Sequence, residues 1–200
     1  MSTIQRPIAT DVLVEQDIVT HRTARRALAG LRIAFGLTFL WAFFDKLLAL
    51  GFHTGAITNP ETGAREGIDF MAKDAAWLNG GSPTEGFLAF GVPAPNPFQD
   101  TFNAMAGHVL VDVLFMAGLL GIGLALTLGA GMRVAAGAGV VLYLLMWVAS
   151  LPLDNNPVVD DHLIGAITVV VLAATLAGDT WGLGRTWART QLVRRFPVLR

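Results

Sequence analysis

Four long apolar segments constrain this chain more than any other feature. They cover about residues 27–50, 105–128, 134–151 and 158–178 of the 200-residue sequence. A helix needs roughly 20 apolar residues to cross the hydrocarbon core of a bilayer. Backbone groups inside that core must find their hydrogen bonds within the segment, which favours helices. The segments therefore predict an all-α integral membrane protein, a four-helix bundle formed by residues 27–180.

The composition supports a membrane location and narrows the chemistry. Hydrophobic residues make up 54 % of the sequence and charged residues 14 %, whereas soluble domains carry about 25 % charged residues. The net charge of −1 says nothing about nucleic acid, but no basic patch with interleaved aromatic residues appears, so no nucleic-acid partner is expected. The chain has no cysteine, which excludes disulfides, thiol catalysis, iron–sulfur clusters and covalently attached haem.

The distribution of Lys and Arg predicts the orientation. With four spans, residues 1–26, the turn near 129–133 and the basic tail 181–200 lie on one side. Of the 14 Lys and Arg residues, three are on the other side (Lys46, Arg65 and Lys73) and eleven are on the first. The positive-inside rule therefore predicts that both termini are cytoplasmic. Trp181 and Trp187 of the tail are predicted to anchor it at the lipid headgroups.

Several local patterns give more detailed expectations. Arg32, five residues into the first span, is predicted to extend its side chain to lipid phosphate. The pair Asn156-Pro157 predicts the N-cap and first residue of the fourth helix. The extracytoplasmic loop, about residues 53–103, is predicted to hold short helices and to cap the bundle. Its Ser82-Pro83-Thr84-Glu85 segment is a capping box.

Ionisable residues cluster where the spans meet the extracytoplasmic side. An acid within a membrane span indicates a functional site, and Asp112 shares a helix face with His108 four residues earlier, about two turns inside the predicted span. Three interpretations of Asp112 remain open: an ion pair with Lys46, proton handling beside a quinone or substrate, and ligation of a metal or haem. The candidate catalytic residues are Lys46, His108, Asp112, Asp161 and His162.

Aromatic residues near this cluster are candidates for binding a cofactor. Trp41, Phe44 and Trp147 can form the walls of a quinone pocket, and packing is the alternative interpretation. No metal site is predicted, because the histidines lack a ligand spacing. A b-type haem held by two histidines on different helices is the weaker alternative to quinone.

Five stretches of the sequence resemble one family. They are FLWAFFDKLLALGF, GGSPTEGFL, LFMAGLLGIGLALTLGAGMRVAA, LMWVASLPLDNNPVVDDHLI and WGLGRTW. Together, over about residues 25–200, they are similar to the DoxX/DoxD family of small membrane proteins. The resemblance implies a four-helix bundle in a prokaryotic cell membrane. It also implies functional positions at Lys46, Asp160, Asp161 and His162.

The resemblance implies a redox activity as well. DoxD-like members form the large subunit of thiosulfate:quinone oxidoreductase, which oxidises thiosulfate to tetrathionate, passes electrons to quinone and works with a smaller subunit. We therefore expect a subunit of a quinone-linked redox system, in contact with lipid, quinone and a second protein. The alternatives are a non-catalytic subunit that anchors or assembles a redox complex, and a small transporter. The ten acids against three bases on the outer side oppose thiosulfate binding except near Lys46.

Overall fold

The computed structural model describes residues 12–154 and 156–200; the first eleven residues of the predicted N-terminal segment lie outside this range. The described chain is mostly helical. Its helices and strands are α1 (Glu15–Ile18), α2 (Arg22–Leu48), β1 (Ala56–Thr58), β2 (Arg65–Ile68), α3 (Gln99–Met105), α4 (Val109–Leu128), α5 (Met132–Ala149), α6 (Asp161–Ala174), α7 (Gly184–Ala188) and α8 (Gln191–Arg195). Three of them within these residues, α2, α4 and α5, are long and apolar enough to cross a membrane.

The long helices pack as two close pairs. Contacts are most extensive between α2 and α4 and between α5 and α6, fewer between α4 and α5, and few between α2 and α6. Glycines allow the close approach: a Cβ on Gly123 of α4 would lie 2.8 Å from Leu40 of α2. A Cβ on Gly165 of α6 would lie 2.6 Å from the Tyr143 ring of α5. Small residues at helix contacts have this effect in membrane proteins.

The helix ends define two ends of the molecule. We call "terminal end" the one that contains the start of α2, the end of α4, the start of α5 and the end of α6. The opposite one, which carries the connection from α2 to α4, is the "loop end". Between the two ends, the apolar core includes Phe39, Met116, Leu126, Val169 and Leu172, all at most 6 % exposed.

The α2–α4 connection contains a feature that the sequence did not predict. Strands β1 and β2 form an antiparallel hairpin in which Ala56 pairs with Ile68. Its turn is set by Asn59, whose side-chain oxygen accepts the N–H groups of Glu61 and Thr62 at 2.9 and 3.0 Å. The predicted capping box is partly formed: Ser82 Oγ accepts the Glu85 N–H at 3.1 Å. A π-helical turn (Phe87–Gly91) and α3 then lead to α4.

The predicted start of the fourth helix is wrong. Asp160, not Asn156, is the N-cap of α6, and its Oδ1 accepts the Leu163 N–H at 3.0 Å. Asn156 instead closes its own turn by accepting the N–H groups of Val158 and Val159 at 2.9 Å, a local alternative to a helix that asparagine favours. With 14 residues, α6 is about 21 Å long at 1.5 Å per residue, shorter than a hydrocarbon core of about 30 Å.

The predicted second span also begins too early. Gly107 has a φ of +69° and separates α3 from α4. The α-helix therefore starts at Val109, with His108 as its N-cap. Asp112 consequently lies in the first turn of α4, and the expectation that it lies two turns inside the span is wrong.

Arg32 is buried, and the expectation that it reaches lipid phosphate is wrong. Its side chain is 0 % exposed. Its guanidinium donates to the carbonyl oxygens of Leu126 and Thr127 at the end of α4, with the Thr127 bond at 2.9 Å. It also donates to three carbonyls after α6, those of Ala177, Thr180 and Trp181, at 3.1, 3.3 and 3.1 Å.

The two termini meet at one carboxylate. Asp179 Oδ2 accepts the Glu15 N–H at 2.9 Å and lies 3.2 Å from Arg200 Nη2. Thr180 Oγ1 donates to the Glu15 carboxylate, which is 0 % exposed. The tail also contacts α5, because Arg133 N–H donates to the Arg200 carbonyl at 3.1 Å.

We predict that Arg32→Met destabilises the protein by at least about 3 kcal/mol, because buried carbonyls at two chain segments lose their donor. Thermal unfolding in one detergent measures the change. Arg26→Met, on an exposed position of the same helix, is the matched control. Equal melting temperatures for the two variants would contradict the prediction.

Glu15 gives a pH-dependent prediction. Burial raises the pKa of its carboxyl, and the nearby Asp179 carboxylate adds to this, while the Thr180 hydroxyl acts in the opposite direction. The folded-state pKa therefore lies above the unfolded value, so the stabilisation is present at pH below about 4.5 and is lost as pH rises through the folded-state pKa. Glu15→Gln should lose less stability than the parent between pH 4.5 and pH 8 in thermal unfolding. Glu61→Gln, in the exposed loop, should keep the parent's pH profile.

Candidate functional site

Asp45 has a structural position at the loop end. It is 2 % exposed, and its two carboxylate oxygens accept the N–H groups of Phe52 and His53 at 3.1 and 2.9 Å. These bonds hold the turn that follows α2, where Ala49 adopts a left-handed conformation with φ of +54°. Asp45 therefore fixes the conformation of the turn that follows Lys46.

Lys46 lies at the loop end of the buried face of α2. It follows Phe43 by three residues and Phe39 by seven, both of which are buried, and residues at this spacing share one helix face. Lys46 itself is half-buried. Within the described residues it forms no side-chain hydrogen bond and no salt bridge. An ammonium group is thus placed next to the aromatic core with its donors available.

Asp112 holds the capping box, Ser82 to Glu85, against α4. Its Oδ1 accepts the hydroxyls of Ser82 and Thr84 at 2.9 and 2.6 Å and the Thr84 N–H at 3.3 Å. The carboxylate is buried. The ion pair with Lys46, one of the three interpretations of this residue, is not formed among the described salt bridges. The capping box contained both hydroxyls, but its sequence pattern did not indicate their partner.

His108 and Asp161 occupy helix starts. His108 is exposed, and its Nδ1 accepts the Leu110 N–H at 3.3 Å as the N-cap of α4. Asp161 is exposed in the first turn of α6, where a carboxylate interacts favourably with the helix dipole. These two candidates therefore have positions that stabilise helices.

His162 forms the most closely connected ionisable pair at the loop end. Its Nδ1 lies 2.6 Å from Asp160 Oδ2. The His162 ring is 6.4 Å from the Tyr143 ring between centroids, and the Tyr143 ring is 5.5 Å from Phe39, edge to face. A chain of contacts thus runs from the N-cap of α6 across α5 to the buried face of α2.

The ionisation of Asp160 is set by this pair. Burial alone would raise its pKa, but the hydrogen bonds from His162 and from the Leu163 N–H hold the pKa below its ordinary value. Asp160 is therefore a carboxylate at neutral pH. A carboxylate at Nδ1 fixes the orientation of an imidazole and leaves Nε2 for proton exchange.

Each predicted aromatic residue contacts a different partner. Trp41 contacts the Phe52 ring at 4.9 Å, and the Arg65 guanidinium of β2 lies 4.4 Å from that ring. Phe44 contacts Phe43 at 5.3 Å. Trp41 and Phe44 are 47 % and 43 % exposed, so they line the outer surface of α2.

Trp147 has a structural bond. Its indole N–H donates to the Val158 carbonyl at 2.9 Å and joins α5 to the segment before α6. Within residues 12–154 and 156–200, no three His, Asp or Glu side chains form a group that could hold a metal ion.

Two members of the site were not among the candidate catalytic residues. For Tyr143 the sequence left packing and the wall of a quinone pocket as alternatives, and Asp160 was indicated only by the resemblance, although the sequence Asp160-Asp161-His162 contains both the N-cap and the imidazole. At the terminal end, the buried contact between Glu15 and Asp179 was not predicted, and Arg32 was expected to reach lipid phosphate. The partners of these residues are distant in sequence, so no local pattern indicates the contacts.

We predict that Asp112→Ala lowers stability by about 1–3 kcal/mol, because the buried Thr84 hydroxyl and the Ser82 hydroxyl lose their acceptor. Limited proteolysis should also become faster within residues 82–91. Asp69→Ala, an exposed loop acid, is the control. Unchanged proteolysis of the Asp112 variant would show that this bond does not hold the segment.

Comparisons with known proteins do not assign this arrangement to a family. No family model matches the sequence, and neither a curated protein nor a solved structure matches the chain. The candidate site therefore rests on the contacts of the structure alone: the pair Asp160–His162 with Tyr143 beside it, and Lys46 farther along the α2 face that carries Phe39.

Proposed function

We propose that this chain is a DoxX/DoxD-like membrane subunit of a quinone-linked redox system. In this proposal α2, α4, α5 and α6 form a four-helix bundle in a prokaryotic cell membrane. The excess of Arg at the terminal end supports a cytoplasmic position for both termini, which places the loop end at the outer face. The shorter α6 is accommodated because the segment before it reaches the interface.

The observation that carries the proposal is the 2.6 Å contact between His162 and Asp160 beside Tyr143. Reduction of a quinone consumes protons at its two carbonyl oxygens. Imidazole, ammonium and phenol groups can donate hydrogen bonds to such oxygens, and an oriented imidazole can transfer a proton near neutral pH. His162, Lys46 and Tyr143 therefore offer the kinds of hydrogen-bond donor that a quinone head uses.

The aromatic residues of α2 fit the approach of quinone from the membrane. A bound quinone would supply the two-electron acceptor, and this chain would orient it and exchange its protons. Trp41 and Phe44 are exposed on α2, on the helix that carries Lys46. A lipid-soluble molecule can reach the loop end along this surface.

The electron donor is part of the same proposal. We infer thiosulfate or a related sulfur compound from the resemblance. The acids of the outer loop oppose a dianion, but Lys46 and the Arg65 guanidinium above Phe52 provide local positive charge. Screening beyond about 8 Å at physiological salt also reduces the repulsion from distant acids. A second, smaller subunit would then take part in donor oxidation.

A second candidate function is a non-catalytic anchor or assembly subunit of a redox complex. It is favoured by the exposed apolar side chains of the α2–α4 connection, which include Phe70 at 61 %, Leu78 at 60 % and Phe90 at 87 % exposed. Exposed apolar residues of this kind are typical of protein–protein or membrane contacts. In this alternative the bonds of Asp45, His108 and Asp112 are purely structural.

We predict that His162→Gln and Lys46→Met each lower quinone reduction by at least about 100-fold, the lower limit for loss of a general acid or base. The assay uses native membranes, thiosulfate and a soluble quinone analogue. Asp154→Asn, an exposed outer acid, is the control and should keep full turnover.

Measuring complex formation together with turnover distinguishes the two proposed functions. If both variants keep normal turnover and normal complex formation on native gels, the quinone site is wrong. If Phe90→Ser removes the partner subunit while His162→Gln has no effect on turnover, the anchor function is correct.

A further inference from the structure

Two apolar grooves flank α5 at the terminal end. The "α4–α5 groove" has a volume of about 330 Å³ and runs between Ala117–Ala125 of α4 and Gly131–Ala138 of α5. The "α5–α6 groove" has a volume of about 410 Å³ and runs between Arg133–Val140 of α5 and Val170–Leu176. Neither groove contains a residue of the candidate redox site.

Small residues keep both grooves open. A Cβ built on Gly118 or Gly121 of α4, or on Gly137 of α5, would meet no atom within 4 Å. The four residues 135–138 of α5 are Ala, Ala, Gly and Ala. The helix is therefore narrow where it separates the grooves, so two linked aliphatic chains can pass on its two sides.

The length of the grooves along the helix axes is close to the thickness of one membrane leaflet. Residues 117–125 extend about 12 Å along α4 at 1.5 Å per residue, and residues 133–140 extend about 10 Å along α5. Half of a hydrocarbon core is about 15 Å. Both grooves therefore lie within the leaflet that contains the terminal end.

Arg133 provides the charge between the two grooves. It is exposed in the first turn of α5, it lines the α5–α6 groove, and its neighbour Val134 lines the α4–α5 groove. One of its N–H groups donates to the Pro197 carbonyl at 3.1 Å. A guanidinium has five N–H donors, so this bond leaves others for a phosphate.

The surrounding chain favours an anion. Residues 180–200 contain Arg185, Arg189, Arg194, Arg195 and Arg200 and no Asp or Glu. Arginines near a membrane surface attract anionic lipids. Trp187 and Leu199 complete the α4–α5 groove, and Leu13 and Ile18 complete the α5–α6 groove.

We infer that one anionic diacyl phospholipid binds across α5, with its phosphate on Arg133 and one acyl chain in each groove. Two chains joined to one headgroup match two grooves on the two sides of α5, one lined by Arg133 and the other by its neighbour Val134. The site is independent of the proposed redox function.

Native mass spectrometry of the full chain, titrated in detergent with phosphatidylglycerol or with phosphatidylcholine of the same acyl chains, tests the inference. We expect one phosphatidylglycerol per chain, bound more tightly than phosphatidylcholine. Arg133→Gln should weaken phosphatidylglycerol binding about fivefold. Arg22→Gln, at an exposed position on α2, should change it little. Equal binding of the two lipids would overturn the assignment of the headgroup.

Two filled-groove variants test the chains. Gly121→Leu and Gly137→Leu place side chains in the open space of one groove each, and each should weaken phosphatidylglycerol binding about tenfold by displacing a few methylene groups. Gly30→Leu of α2, where a Cβ also meets no atom within 4 Å, is the control. Unchanged lipid binding by both folded variants would overturn the inference. If they also changed the monomer–dimer distribution, a second copy of the chain would be the occupant.

Discussion

The bonds of Arg32 are the interaction on which the helix arrangement most depends. The last carbonyls of a helix have no partner within it, and they carry the negative end of its dipole. Arg32 donates to two such carbonyls at the end of α4 and to three in the chain after α6. One fully buried side chain of α2 therefore joins the end of α4 to the chain that follows α6. This cation joins α2 to the turn after α6, although the two helices themselves have few contacts.

The terminal and loop ends use charge differently. At the terminal end, Asp179 accepts the Glu15 N–H and the Arg200 guanidinium, so the carboxylate fixes α1 and the last residue of the tail to the chain after α6. At the loop end, Asp45 accepts backbone N–H groups and fixes the turn after α2. Asp112 accepts hydroxyl groups and fixes the Ser82–Thr84 stretch against α4. Most buried carboxylates of this chain thus compensate unsatisfied donors near helix ends. Lys46 and His162 differ from these carboxylates. Lys46 has no hydrogen-bond or salt-bridge partner among the described residues, and His162 keeps its Nε2 for proton exchange.

The proposed redox site and the inferred lipid site lie at opposite ends of the molecule. A redox site at the loop end would act on molecules from the outer aqueous phase and from the membrane, whereas the grooves beside α5 lie next to the arginine-rich terminal end. The two are connected through α5, which carries Tyr143 near one end and Arg133 at the other. A phospholipid on Arg133 would hold the tail in place through the same residue that binds the Pro197 carbonyl.

The sequence by itself determined the apolar helices, because runs of about 20 hydrophobic residues can be recognised without knowledge of contacts. It also excluded thiol and disulfide chemistry, because the chain has no cysteine. It also located the ionisable residues of the loop end, since Lys46, Asp112 and His162 stand out against apolar neighbours. The tertiary structure decided the distant partners of the buried polar residues: Asp112 bonds Thr84, and Arg32 bonds carbonyls of two distant segments, whereas His162 bonds Asp160 only two residues away. The physical reason is that a hydrogen bond depends on positions brought together by packing, 28 to 149 residues apart for Asp112 and Arg32. Local patterns show only that a polar group needs a partner, and the fold provides it.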